Sequence, residues 1–218
     1  QRITGNCIQP NRHISAVLLP VFALAPCFIA WADTGTTNNL FILSKLDDDL
    51  YFVGRANAVT RDGFSDLFFG YIDANLRYSL DHNWSVEVGY RQARLKLDSE
   101  WRDEYRPMFG AIWKDTFTNW RFYNRSRIEL RYFEGNANDR IRIRNESSWT
   151  LLHKVTDARL TPYVEQEFFF EPSENGYNQN WLTLGFSRNF TKTLKWKLGY
   201  RLQSLKFGGD WDNRHLLV

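Results

Sequence analysis

The sequence is poor in features that tie a chain to a known chemistry. Of its 218 residues only two are cysteine and one is methionine. Both cysteines, Cys7 and Cys27, fall near the start, so the rest of the chain has neither a disulfide framework nor a thiolate metal site. After residue 32 there is no long apolar run. That excludes a helical membrane bundle, in which each span needs about 20 apolar residues. Charge of one sign is also missing: 28 basic residues stand against 25 acidic ones, a formal +3, which is weak support for a nucleic-acid partner. Helical spacing of apolar residues is absent. So are the nucleophile-elbow, zinc-protease, phosphate-binding and dinucleotide-binding patterns, and no cofactor or metal site is expected.

Aromatic residues, in contrast, reach 17%, with 9 Trp, 10 Tyr and 17 Phe. That load rules out a disordered chain. A polar average combined with many aromatics fits a transmembrane β-barrel, in which only alternate residues face lipid.

Residues 14–32 (ISAVLLPVFALAPCFIAWA) are almost wholly apolar, follow Arg12 and His13, and end in Ala30-Trp31-Ala32. A basic start, an apolar centre and an A-x-A end predict a cleaved secretory signal peptide over residues 1–32. Pro20 and Pro26 argue against a spanning helix. Export through such a peptide points to the bacterial outer membrane. Arg2 and Arg12 leave with the peptide and no acid does, so the exported part is close to neutral.

Period-two alternation recurs through the rest of the chain. Leu194, Trp196, Leu198, Tyr200 and Leu202 oppose Lys195, Lys197, Gly199, Arg201 and Gln203. Ten strands are drawn, at 50–60, 66–80, 84–97, 104–117, 119–134, 140–154, 160–171, 178–190, 194–207 and 211–218. Most exceed the about 9–11 residues that a tilted strand needs to cross a bilayer. The expected fold is an all-β, antiparallel up-and-down transmembrane barrel over 50–218, of about ten strands with twelve as the alternative. A strand over Leu40–Leu46 would put the N-terminus on the wrong side, so 33–49 is read as a periplasmic lead-in. The last strand stops about eight residues in and reads as truncated. Connections at 81–83, 118–119, 155–159 and 191–193 read as tight periplasmic turns. Those at 61–65, 98–103, 135–139, 172–177 and 208–210 read as longer external loops. Trp84, Trp113, Trp120, Trp149 and Trp196 lie near the first set and share the apolar parity; Trp101, Tyr105, Trp181 and Trp211 lie near the second. Two aromatic girdles at the lipid headgroups would place them so. The alternative is a soluble barrel with the Trp residues in its core.

Four stretches, 124–131 (NRSRIELR), 162–169 (PYVEQEFF), 178–185 (NQNWLTLG) and Leu198-Gly199-Tyr200, resemble a bacterial family of small outer-membrane barrels, domain of unknown function 2490. The resemblance covers about residues 50–218 and implies fold and location, not an activity. Trp181 departs from it, standing where the family has Arg. A more distant likeness is to the acidic-oligosaccharide porins, narrow barrels with arginine-lined lumens.

On parity, the inward candidates are Arg55, Arg77, Arg91, Arg121, Arg125, Arg127, Arg131, Arg140, Arg142, Arg144, Lys195, Lys197 and Arg201. Their acidic counterparts are Asp73, Glu87, Glu129, Glu146, Glu165 and Glu167. A barrel this narrow has little spare volume, so the first expectation is a structural, plugged barrel held by Arg–carboxylate pairs. The second is a narrow channel for anionic solutes or oligosaccharides, since Arg rings favour anions. A third is an outer-membrane hydrolase with Asp210, Asp212 and His215 at the rim, facing Asp98, Glu100, Asp103 and Glu104. The expected partners are outer-membrane lipid, lipopolysaccharide and the barrel assembly machinery, with a monomeric chain. Nucleic acid is not expected, because Arg and aromatics alternate onto opposite faces, whereas a stacking platform needs them on one.

Overall fold

Alternation sends apolar and charged side chains to opposite faces of a strand, and each strand's backbone edges must then find partners. In the computed structural model one closed sheet meets both requirements. The structure describes residues 34–62, 65–97, 99–135, 139–153, 159–173, 176–191, 193–207 and 209–218. The expected signal peptide lies outside the described residues.

The strands are β1 (Thr34–Lys45), β2 (Leu50–Arg61), β3 (Asp66–Ser79), β4 (Trp84–Leu97), β5 (Glu100–Phe117), β6 (Trp120–Phe133), β7 (Arg140–Leu151), β8 (Thr161–Glu171), β9 (Gly176–Asn189), β10 (Lys195–Phe207) and β11 (Asp210–Leu217). The described residues contain no helix. Strands adjacent in sequence pair antiparallel all the way round the sheet. The barrel then closes through a parallel seam between β1 and β11, with Thr34 opposite His215, Gly35 opposite Leu216 and Thr36 opposite Leu217.

The ten segments drawn from the sequence correspond to β2–β11. The strand count is corrected to eleven, because 33–49, expected as a lead-in, contributes β1. The lead-in assignment assumed an even number of strands. With an odd number the first and last strands run in the same direction, and parallel pairing joins them. The expected difference in connection length is also absent. One end carries 46–49, 80–83, 118–119, 152–160 and 190–194; the other carries 62–65, 98–99, 134–139, 172–175 and 208–209. Every connection joins adjacent antiparallel strands, so neither end requires long loops. We call the first the Asp81 end and the second the Glu100 end.

Turn chemistry is local. The Asp81 carboxylate accepts the backbone N–H groups of Asn83 and Trp84, each at 2.7 Å, a side-chain mimic of a backbone turn. The bonds from Trp84 and Asn83 hold its carboxyl below the usual range. Thr191 Oγ1 likewise accepts the N–H of Leu194 at 2.9 Å.

The two faces are inverted relative to a water-soluble protein. Ile72, Phe109, Ile141 and Leu184 are 51–62% exposed on the outer surface, while Arg125 and Glu129 are 1% and 0% exposed inside. Trp84, Trp120, Trp149 and Trp196 are exposed on the outer face, which removes the reading in which they form a core. Trp113 contacts Phe122 (5.3 Å between centroids), and Phe122 contacts Trp149 (5.1 Å), so a row of rings runs round the outside near the Asp81 end. Trp181 differs: its register partner Glu167 faces inward, and it stacks on buried Phe169 at 4.6 Å. It belongs to the lumen, not to an outer girdle.

Inside, Tyr163 lies across two glycines. A Cβ added at Gly199 would sit 2.6 Å from the Tyr163 hydroxyl, and one at Gly185 2.8 Å from its ring. The ring fills the space those missing side chains leave, which accounts for the glycine in Leu198-Gly199-Tyr200.

Candidate functional site

Strand parity assembles the lumen. β6 supplies Arg121, Arg125, Arg127, Glu129 and Arg131, and β7 supplies Arg140, Arg142, Arg144 and Glu146. Direct cross-strand neighbours include Arg125 with Glu146, but also Arg127 with Arg144 and Arg131 with Arg140. Like charges face each other at the last two positions, so carboxylates must come from other strands.

Toward the Glu100 end they come from β5, β6 and β8. Glu104 accepts from Arg106 at 2.5 Å and from Arg131 at 2.5 Å. Glu171 accepts from Arg131 at 2.5 Å and from Arg142, and lies 3.7 Å from Arg140. Glu129 lies within 3.3 Å of Arg106, 2.7 Å of Arg127 and 3.8 Å of Arg144. Glu167 accepts from Arg144 Nε at 2.7 Å and lies 3.7 Å from Arg201. These pairs form one connected cluster in which each carboxylate serves at least two guanidinium groups. Arg144 and Arg201 also approach the Trp181 ring, at 5.3 and 5.0 Å, a favourable cation–π contact.

Further along, Arg91 pairs with Asp73 at 2.5 Å and covers the Tyr71 ring at 3.5 Å. Glu87 bridges Arg77, at 3.1 Å, and Arg125. Glu146 lies 4.0 Å from Arg125. Arg55 lies 5.4 Å from the Phe41 ring. At the Asp81 mouth Glu165 pairs with the half-exposed Lys197, and Arg121 and Lys195 are exposed.

Two members of the cluster, Arg106 and Glu171, were not singled out from the sequence. Arg106 follows Glu104 at the period-two spacing, and Glu104 had been grouped with the rim acids. Glu171 continues the parity of Glu165 and Glu167, which was the signal available for it. The proposed rim cluster does not assemble. Asp212 shares a face with Arg214, 3.4 Å away, whereas His215 lies one step out of phase and contacts the outward Tyr200. Glu104 is buried, Asp103 pairs with Arg94 at 2.7 Å, and Asp98 lies outside the described residues. No group of His, Cys, Asp and Glu among the described residues could hold a metal ion. No described helix is long and apolar enough to cross a membrane, which has no bearing on strands.

The fold and its interior define a class: a closed, all-β barrel with an apolar outer face and an ion-paired lumen. No curated protein and no solved structure matches the chain significantly. The chain belongs to the family described as protein of unknown function (DUF2490), whose profile matches residues 34–214.

Proposed function

We propose that this chain is a monomeric barrel of the bacterial outer membrane, closed to bulk solute by its own ion-paired side chains. The observation that carries the reading is the inversion of faces. A band of exposed apolar side chains encircles the barrel while arginines and carboxylates occupy its interior. Soluble monomers rarely expose contiguous apolar patches beyond a few hundred Å², and hydrocarbon is the solvent that removes that cost. Strands β2–β10 are each 11–18 residues long, enough to cross at a tilt. The apolar segment 14–32 supports export through a signal peptide. The partners are then outer-membrane lipid, lipopolysaccharide at the outer leaflet, and the machinery that inserts barrels.

The lipid assignment is tested by Ile128→Arg on the outer face of β6. In bilayers this should cost about 2–4 kcal/mol of unfolding free energy; unchanged stability would sink the assignment. Closure is tested by adding the full-length chain to a planar bilayer, where conductance above the bare membrane is not expected. One observation favours a second reading, a narrow anion pathway: guanidinium groups outnumber carboxylates along the lumen. Anion-selective conductance that falls in Arg142→Glu would establish that reading in place of the plug.

A further inference from the structure

Arginines of the lumen cluster share carboxylates. Two arginines at the Asp81 end do not. Arg159, Thr161, Arg188, Asn189 and Phe190 line a cavity of about 230 Å³. It lies at the rim, where β8 begins and β9 ends, just past the last register pair between them, Thr161 with Ser187. No acid is among its lining residues, and among the described residues neither arginine has a carboxylate partner. The Arg188 guanidinium stands 5.0 Å from the centre of the Phe190 ring. Arg159 has a φ of 55°, a left-handed backbone that is uncommon in a bulky residue, and strain of this kind clusters at ligand clamps.

Position decides what such a cavity meets. In the ladder Arg188 stands opposite Trp196, which is exposed on the outer face near the row of rings. Aromatic belts of this kind sit at headgroup depth. Further in on the same face of β9, Phe186 and Leu184 are 46% and 51% exposed, an apolar track for acyl chains. The cavity is smaller than the about 300–1,000 Å³ that takes a drug-sized ligand. It suits a phosphate group and its ester oxygens, with the rest of the molecule outside. Guanidinium forks match phosphate oxygens, and basic pockets on the flank of a membrane protein hold lipid headgroups.

We infer that this cavity binds the phosphate of an anionic phospholipid, with Arg159 and Arg188 as its donors and the acyl chains laid along Phe186 and Leu184. The inference deepens the membrane reading above and rests on it. A headgroup that carries its own cation, such as choline, is disfavoured beside two guanidinium groups.

The test is thermal unfolding of the full-length chain in neutral detergent micelles as phosphatidylglycerol is titrated in. The parent should gain roughly 3–6 °C, saturably, at about ten times the dissociation constant. Phosphatidylcholine with the same chains should give a smaller gain, and diacylglycerol or inorganic phosphate none. The double variant Arg159→Gln, Arg188→Gln should lose the gain and keep the parent's unfolding temperature in detergent alone. Arg121→Gln, at the same mouth but on the lumen side, should keep the full gain, which separates a site from general attraction. Native mass spectrometry of the parent should show one phosphatidylglycerol retained per chain and no diacylglycerol, a result that decides the matter even if the double variant fails to fold. A parent indifferent to phosphatidylglycerol would overturn the inference, as would a gain that survives the double variant or an equal gain from inorganic phosphate. Unchanged stability of Ile128→Arg in bilayers would overturn the membrane reading instead, so the two failures are distinguishable.

Discussion

The arc of wall from β4 to β9 and the seam between β1 and β11 close the same barrel by different means. In the arc, wall and contents are joined. Glu104 on β5 holds Arg131 on β6, Glu129 on β6 reaches Arg106 on β5 and Arg144 on β7, and Glu171 on β8 reaches Arg131 on β6 and Arg142 on β7. Glu104 and Glu129 tie strands that the backbone ladder already ties, and Glu171 also reaches past β7 to β6, which the ladder does not join to β8. At the seam, three register pairs join β1 to β11, and the Thr36 hydroxyl, 2.8 Å from that of Thr60, turns to β2 instead. Below Thr36, β1 has β2 on one side only, and Leu40, Phe41, Ile42 and Leu43 are 39–54% exposed on both of its faces. An odd strand count therefore has a local cost: where two strands run the same way, neither side-chain pairing nor a hairpin supports the closure.

The comparison is broken most directly from inside the arc. Glu129→Gln removes the charge shared by Arg106, Arg127 and Arg144. Removing one partner of a buried ion-pair set should cost about 3–5 kcal/mol, read as a lower denaturant midpoint with an unchanged slope. A loss below about 1 kcal/mol would mean that the ladder alone supports the arc. At the seam, Gly35→Val attacks the backbone closure. A Cβ there would collide with the Thr60 carbonyl oxygen of β2, so β1 must move. The expected loss is about 1–3 kcal/mol, with proteolytic cleavage newly confined to 34–49. Cleavage spread through β4–β9 would show that the seam and the arc unfold as one unit.

How much of this was legible follows from the period of two. Arg125, Arg127, Glu129 and Arg131 are read straight from β6, because one residue in two must face inward and the intervening Ile128 and Leu130 cannot be anything but outward. The same rule extends to Arg106 and Glu171, but β5 begins at Glu100, four residues before the segment drawn from the sequence, in a stretch (Glu100–Asp103) with no alternation to follow. Trp181 was misplaced because an aromatic near a strand end resembles a girdle residue; only the outward parity of Leu184 and Phe186 places it inside. β1 was legible over Leu40–Leu46 but was set aside because an even strand count was assumed, and nothing in the sequence marks the parallel pairing that an odd count uses to close the barrel. Which carboxylate meets which arginine was not legible at all, because the pairs depend on strand tilt and on side chains that reach across two strands.

The smallest expected effect sharpens the comparison within a single strand. Glu165 and Glu167 stand two residues apart on the inner face of β8, but Glu167 meets Arg144, whose side chain is 9% exposed, and Glu165 meets Lys197, 41% exposed at the Asp81 mouth. The exposed pair keeps much of its hydration and is screened by salt, so Lys197→Met should cost under about 1 kcal/mol and less again at high ionic strength. The Glu129→Gln loss should persist at high salt, because no mobile ion replaces a partner in the buried cluster. If both losses faded together as salt rises, ions would be reaching Glu129 as freely as they reach Lys197. The lumen would then be wet along its length, and the contrast between a sealed arc and an open mouth would collapse.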